Sequence, residues 1–125
     1  MTIIAVDNYT DRLSRFYKLL CEIFPDSEIV TFVDPLLAVK YSTNQRVDIA
    51  FIEMDMWPIN GVQVTTLIRK FVESVSIYMV VKDKKKAEGI DNNSGISGYM
   101  QKPVTKDEIN SLKDVVFDAV LMRCT

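Results

Sequence analysis

Histidine is absent from this 125-residue sequence. Its absence removes imidazole acid–base catalysis, histidine phosphorelay chemistry and most zinc sites from consideration. Cysteine is scarce. Cys21 lies inside a helical pattern and Cys124 near the tail, with no short metal-ligand or redox spacing, so both are expected as reduced thiols. An excess of positive charge is also missing: fifteen Lys and Arg stand against seventeen Asp and Glu, for a net charge of −2. That balance argues against a nucleic-acid surface, because phosphate binding is driven by excess cationic side chains. No apolar run approaches the roughly 18 to 20 residues that a membrane span needs. The opening Met1-Thr-Ile-Ile-Ala-Val has no basic flank and runs into Asp7, so it reads as a first strand rather than a secretion signal. A cytoplasmic location without membrane contact is the expectation. There is no internal repeat, low-complexity tract or linker.

What is present is an ordinary globular balance, 48% hydrophobic and 26% charged. The length suits one hydrophobic core, so residues 1–125 are expected as a single domain. Five β-type runs, at Thr2–Val6, Glu28–Val33, Val47–Ile52, Ser76–Val81 and Gly98–Met100, alternate with helix-type runs. This pattern predicts a three-layer α/β/α fold around a parallel sheet. Ile3 to Val6 and Ile49 to Ile52 are apolar without alternation, as central strands buried on both faces should be. Right-handed crossovers then favour the doubly wound order 2-1-3-4-5.

Leu13, Phe16, Tyr17, Leu20 and Phe24 recur at helical spacing behind an Asn8 or Thr10 cap, which predicts a helix over roughly residues 10 to 24. Asp34-Pro35 is a cap followed by proline at the first helical position, opening a helix expected to turn Leu37, Ala38 and Tyr41 inward. Asn60-Gly61 leads into a third helix with Val64, Leu67, Ile68 and Phe71 on its apolar side. Thr105 and Glu108 have capping-box spacing ahead of Ile109, Leu112, Val116 and Val120. The fourth helix should be short, Lys84 to Glu88, because Gly89 to Gly95 is rich in turn formers.

In an open α/β sheet, ligand chemistry gathers outside the carboxyl ends of the strands. Polar residues fall there: Asp7 and Asn8 after the first strand, Glu53 and Asp55 after the third, Lys82 and Asp83 after the fourth, Lys102 and Pro103 after the fifth. Three carboxylates beside a lysine would suit a hard divalent cation with oxygen ligands, such as magnesium.

These pieces, Ile4-Ala-Val-Asp7-Asn8, Val47-Asp-Ile-Ala-Phe-Ile-Glu53, Asn60-Gly61 with Ile68-Arg69, and Ser97-Gly-Tyr-Met-Gln-Lys102-Pro103, resemble the receiver domain of two-component response regulators over almost the whole chain. Phe24-Pro-Asp, Phe32-Val-Asp-Pro-Leu and the segment from Lys102 to Glu108 are similar to a Firmicutes-like branch that commonly joins this domain to a DNA-binding output. The resemblance implies a flavodoxin-like, non-enzymatic signalling domain acting on a transcriptional output. It implies a carboxylate phosphoacceptor at position 53, magnesium held by the acids after strand one and by the backbone at position 55, and Lys102 paired with the phosphoryl group. A hydroxyl after strand four would turn toward the phosphate and reposition the last helices. The implied partners are a sensor histidine kinase or other signalling protein, and a second copy through the face that includes the last helix.

The sequence departs from that pattern. Glu53 stands at the aspartate position, Asn8 replaces an acid, Val81 or Lys82 stands where Ser or Thr is expected, and Trp57 takes the place of a proline that falls one residue later, at Pro58. Glutamate carries its carboxylate roughly 1.5 Å further, and a misplacement of about 1 Å can cost an in-line transfer on the order of 10²-fold. Phosphorylation is therefore expected to be impaired or absent, and magnesium at Asp7, Glu53 and Asp55 to bind weakly or not at all. Glu53 can be read as a loss of function or as a built-in mimic of the charged state. Lys82 reads either as an ion-pair partner of Glu53 or Asp55 or as a solvated charge. Trp57 either covers the pocket mouth or anchors an interface. The alternative function is a small magnesium-dependent phosphatase of haloacid-dehalogenase type, suggested by Glu53-Met-Asp55. A nucleotide-binding flavodoxin-like function lacks the glycine-rich loop after strand one.

Overall fold

Side-chain parity along the strands divides the interior into two layers. In the computed structural model, which describes residues 1–90 and 95–124 and side chains of the last helix as far as Val115, ten elements alternate. They are β1 (Thr2–Val6), α1 (Thr10–Ile23), β2 (Glu28–Phe32), α2 (Pro35–Asn44), β3 (Ile49–Glu53), α3 (Gly61–Phe71), β4 (Ser76–Val81), α4 (Lys84–Ile90), β5 (Gly98–Gln101) and α5 (Lys106–Cys124). All strand pairings are parallel, in the order β2-β1-β3-β4-β5. Ile3, Ala5, Ile49, Phe51, Val80 and Met100 pack with Leu13, Leu20 and Ile109 of α1 and α5. The alternate residues Ile4, Val6, Ala50, Ile52, Met79 and Val81 pack with Ala38, Val64, Ile68 and Ala87 of α2, α3 and α4. Because neighbouring strand residues face opposite ways, the two layers follow from the strand limits alone.

β3 runs one residue further than the sequence suggested, so Glu53 is the buried last residue of a strand rather than the first of a loop. Its parity, shared with Ile49 and Phe51, turns it toward α1 and α5. Val6 pairs with Ile52, which sets Asp7 beside Glu53. Lys102 has the parity of Met100 and emerges on the same side. Gly61 opens α3 close against β3: an added Cβ would lie 2.6 Å from the Glu53 carbonyl oxygen and 2.5 Å from Met79 Sδ. A full capping box supports that start. Asn60 Oδ1 accepts from the Gln63 amide and Gln63 Oε1 accepts from the Asn60 amide, each at 2.9 Å.

Several expected positions change. Neither Asn8 nor Thr10 caps α1; the N-cap is Tyr9, which makes no side-chain cap. Leu37, Phe71 and Tyr17 are exposed. The inward stripe of α2 is Pro35, Ala38 and Ser42, that of α3 centres on Val64 and Ile68, and that of α1 on Leu13, Leu20 and Ile23, leaving those three residues at the edges or outside. Thr105 Oγ1 does accept from the Glu108 amide at 3.2 Å, but the Glu108 carboxylate turns to the Gln101 amide, at 3.0 Å, instead of closing a capping box. Helix α4 is short, as expected. Of the irregularity anticipated over Gly89 to Gly95, Gly89 and Ile90 instead continue α4, while Asp91 to Ser94, and the places of Val116 and Val120, lie outside the described residues. Among the described residues no helix is long and apolar enough to cross a membrane.

Candidate functional site at the carboxyl ends of the strands

Glu53, 2% exposed, forms the floor of the site. Its Oε1 accepts a hydrogen bond from Lys102 Nζ in a close ion pair. Arg12 Nη2 approaches the same oxygen at 3.8 Å. Arg12 is chiefly bound to Asp7, with Nε donating to Oδ2 at 2.9 Å and Nη2 to Oδ1 at 3.0 Å, a bidentate fork. Asp7 Oδ1 also accepts from the Tyr9 amide at 2.9 Å. The Arg12 guanidinium sits 4.4 Å from the Tyr9 ring centroid.

Burial pushes the Glu53 carboxyl above its ordinary pKa. The Lys102 hydrogen bond and charge pull it back, Asp7 raises it again, and Arg12 lowers it. Burial dominates because water, the best solvent for the charged form, is excluded. The Asp7 hydrogen bond raises Arg12 in turn, partly offset by Arg12's own desolvation.

Asn8 serves the loops rather than the acids. Its amide nitrogen donates to the carbonyls of Val33 at 2.8 Å and Trp57 at 3.0 Å, and its Oδ1 accepts from the Trp57 amide at 2.7 Å. One side chain thus ties the ends of β1, β2 and β3 together. The Trp57 side chain is 79% exposed and does not cover the pocket. The Trp57-Pro58 and Lys102-Pro103 bonds are both cis.

On the far side, Val81 is buried in the α3–α4 layer and offers no hydroxyl. Lys82 is exposed; its side chain joins neither Glu53 nor Asp55, so the ion-pair alternative is corrected. Gln101 occupies that region instead. Its amide group donates to the Lys82 carbonyl and accepts from the Lys84 amide, the latter at 2.7 Å, pinning the β4–α4 loop to β5. Asp55 is exposed and makes no hydrogen bond or ion pair among the described residues.

A family model described as the response regulator receiver domain matches residues 3–113. The chain belongs to the response regulator receiver domain family. No curated protein shows a significant match. Among solved structures, a CheY-like receiver domain protein from Methanospirillum hungatei JF-1 is similar at 18% identity and a TM-score of 0.81, covering 97% of each chain. Chemotaxis protein CheY4 from Vibrio cholerae gives 20% and 0.78, covering 92% of this chain and 97% of its own. The signal receiver domain of an HD domain-containing protein from Pseudomonas fluorescens Pf-5 gives 21% and 0.82, covering 98% and 90%. At these identities the likeness to the solved structures is one of fold.

In a receiver domain the expected metal is magnesium, but the side chains here do not fit it. Such an ion needs oxygen donors with uncompensated charge. Asp7 is held bidentately by Arg12, Glu53 by Lys102, and Asn8 is committed to loop backbone. Asp55 is not drawn into the cluster, and no group of three metal-ligating side chains occurs among the described residues. Arg12 and Gln101 are the residues that sequence reasoning missed. Arg12 carried one signal: a cation in the first turn of a helix opposes the helix dipole and so calls for a nearby acid.

Proposed function

We propose that this receiver domain is a signalling module held in one conformation by its own ion pairs, with phosphoryl transfer to position 53 impaired or absent. The observation that supports this most directly is the buried Glu53 carboxylate, already paired with Lys102, in a cluster where Arg12 neutralises Asp7. A phosphoacceptor must present a free oxygen in line with the incoming phosphorus. Glu53 commits Oε1 to two cations instead, and its Oε2 is buried away from solvent. Asp7, Glu53 and Asp55 would hold magnesium weakly or not at all for the same reason.

The domain acts by presenting a fixed surface to a partner, a sensor kinase or another cytoplasmic signalling protein, and through it to a transcriptional output. Self-association through the face that includes α5 belongs to the same reading, without direct nucleic-acid contact by this domain. Incubation with a small acyl-phosphate donor and magnesium, followed by intact mass measurement, tests it. The unmodified mass is expected. A gain of one phosphoryl mass mapped to Glu53 or Asp55, with a change in self-association, would replace this reading with an ordinary switch.

A further inference from the structure

A cavity of about 800 Å³ opens between α1 and the β5–α5 loop, within the range of roughly 300 to 1,000 Å³ typical of small-molecule sites. Its walls are apolar: Leu13, Phe16 and Leu19 from α1, Phe51 and Val80 from the sheet, and Val104 from the loop. At its inner end is Glu53, whose second oxygen, Oε2, is buried without a hydrogen-bond donor. A carboxylate oxygen accepts only, so this buried, unpartnered oxygen of a cavity-lining residue is satisfied by an incoming N–H or O–H once a small side-chain movement uncovers it. At the rim, Arg15 and Lys18 also line the cavity, are exposed and form no ion pair among the described residues, whereas Glu22 is drawn off by Lys106 at 3.6 Å. The free charge at the mouth is therefore positive.

We propose that this cavity binds a small aromatic acid whose body carries one hydrogen-bond donor, with the donor on Glu53 Oε2, the rings against the α1 wall and the acid group at Arg15 and Lys18. From Arg12, above Glu53, to Lys18 the helix advances about 9 Å at 1.5 Å per residue, the length of two fused rings with substituents at opposite ends. Lys102 and Arg12 both lie on Glu53 Oε1, and Arg12 is further held by Asp7, so the donor takes Oε2 while these contacts stay in place. The titration reads binding by the unphosphorylated chain, so its outcome is independent of the phosphoryl-transfer test.

Three probes separate the elements of the proposal by calorimetric titration of the full chain. 6-Hydroxy-2-naphthoate has donor and acid, 2-naphthoate lacks the donor, and 2-naphthol lacks the acid. The first should bind about tenfold more tightly than either of the others, the difference one charge-assisted contact makes. Leu19→Trp fills the cavity from one wall and Val104→Phe from the other, and whichever keeps the wild-type circular dichroism should lose binding. Lys18→Glu should weaken the two naphthoates and leave 2-naphthol unchanged. Failure of all three probes to bind, equal affinity for all three, or undiminished binding by a folded cavity-filled variant would overturn the proposal.

Discussion

Replacing Lys102 with methionine keeps an unbranched side chain one atom shorter and deletes the charge that faces Glu53. In the native protein Glu53 is 2% exposed and Lys102 22% by side chain, with Arg12 at 3.8 Å as the remaining cation. Removing one partner of a buried pair costs about 3 to 5 kcal/mol. The lower end applies because Lys102 is partly solvated and Arg12 stays, so a loss of about 3 kcal/mol is expected at pH 7, or about 2 M in urea midpoint for a chain of this size.

The pH dependence follows from the direction of the Glu53 shift. Burial holds its folded-state pKa above the ordinary 4.5, so the folded protein binds this proton more tightly than the unfolded chain does. That contribution is fully present below about 4.5 and is lost as pH rises through the folded value. Lys102 lowers the folded value, so deleting it extends the window upward, and the deficit of Lys102→Met should grow from pH 5 to pH 7. In a Glu53→Gln background the same substitution should cost under about 1 kcal/mol and show no such slope, as a double-mutant cycle would register. Urea denaturation of the four proteins at several pH values decides the matter. A Lys102→Met deficit that is the same in both backgrounds, or flat with pH, would refute the buried ion pair as the central contact.

Asn8→Asp, which restores an acid to the first-strand position, should destabilise the domain by about 2 kcal/mol, because it turns a donor into an acceptor facing the carbonyls of Val33 and Trp57; an unchanged urea midpoint would contradict this. Gly61→Ala should cost about 2 to 3 kcal/mol through the contacts of its Cβ with Glu53 backbone and Met79, and a neutral thermal shift would show that α3 can move away from β3. Arg12→Ala frees Asp7, so calorimetry should register firmer magnesium binding than in the wild type. No gain would mean that Arg12 is not what keeps the acids from a metal.

The strands, their order and the two-sided burial of β1 and β3 were legible because unbroken apolar runs and short connections leave little choice. The site was legible as a gathering of residues and less so as a set of bonds. Glu53 was placed after β3 because a carboxylate ordinarily ends a strand; its partner Lys102 lies 49 positions away in the sequence and is invisible to local pattern. Leu37 and Phe71 were assigned inward because helical periodicity tolerates neighbouring faces, and only the sheet beneath α2 and α3 selects one. Lys82 was weighed as the ion-pair partner on charge alone, whereas Gln101, a neutral residue in a strand, holds that loop through its amide. Amide bonds to backbone leave no signature in charge or hydropathy.

Gln101 also bears on what reversion at position 53 can do. Glu53→Asp with Lys82→Thr would supply a shorter carboxylate and a hydroxyl, but the β4–α4 loop would still be fixed to β5 by the two Gln101 hydrogen bonds, each contributing about 1 kcal/mol. A phosphoryl group shifts a two-state loop only by the free energy it gains in one state over the other, so it must first offset that anchor. Asn8 acts in the same way on the opposite rim, where two of its bonds fix the β3–α3 loop and the third holds the end of β2. On the proposed reading, the lock would be distributed over Asn8, Arg12, Gln101 and Lys102 rather than stored in Glu53. Adding Gln101→Ala to Glu53→Asp and Lys82→Thr should yield a larger donor-dependent change in backbone amide shifts across residues 82–90 than the double variant shows; equal responses would place the lock at Glu53 alone.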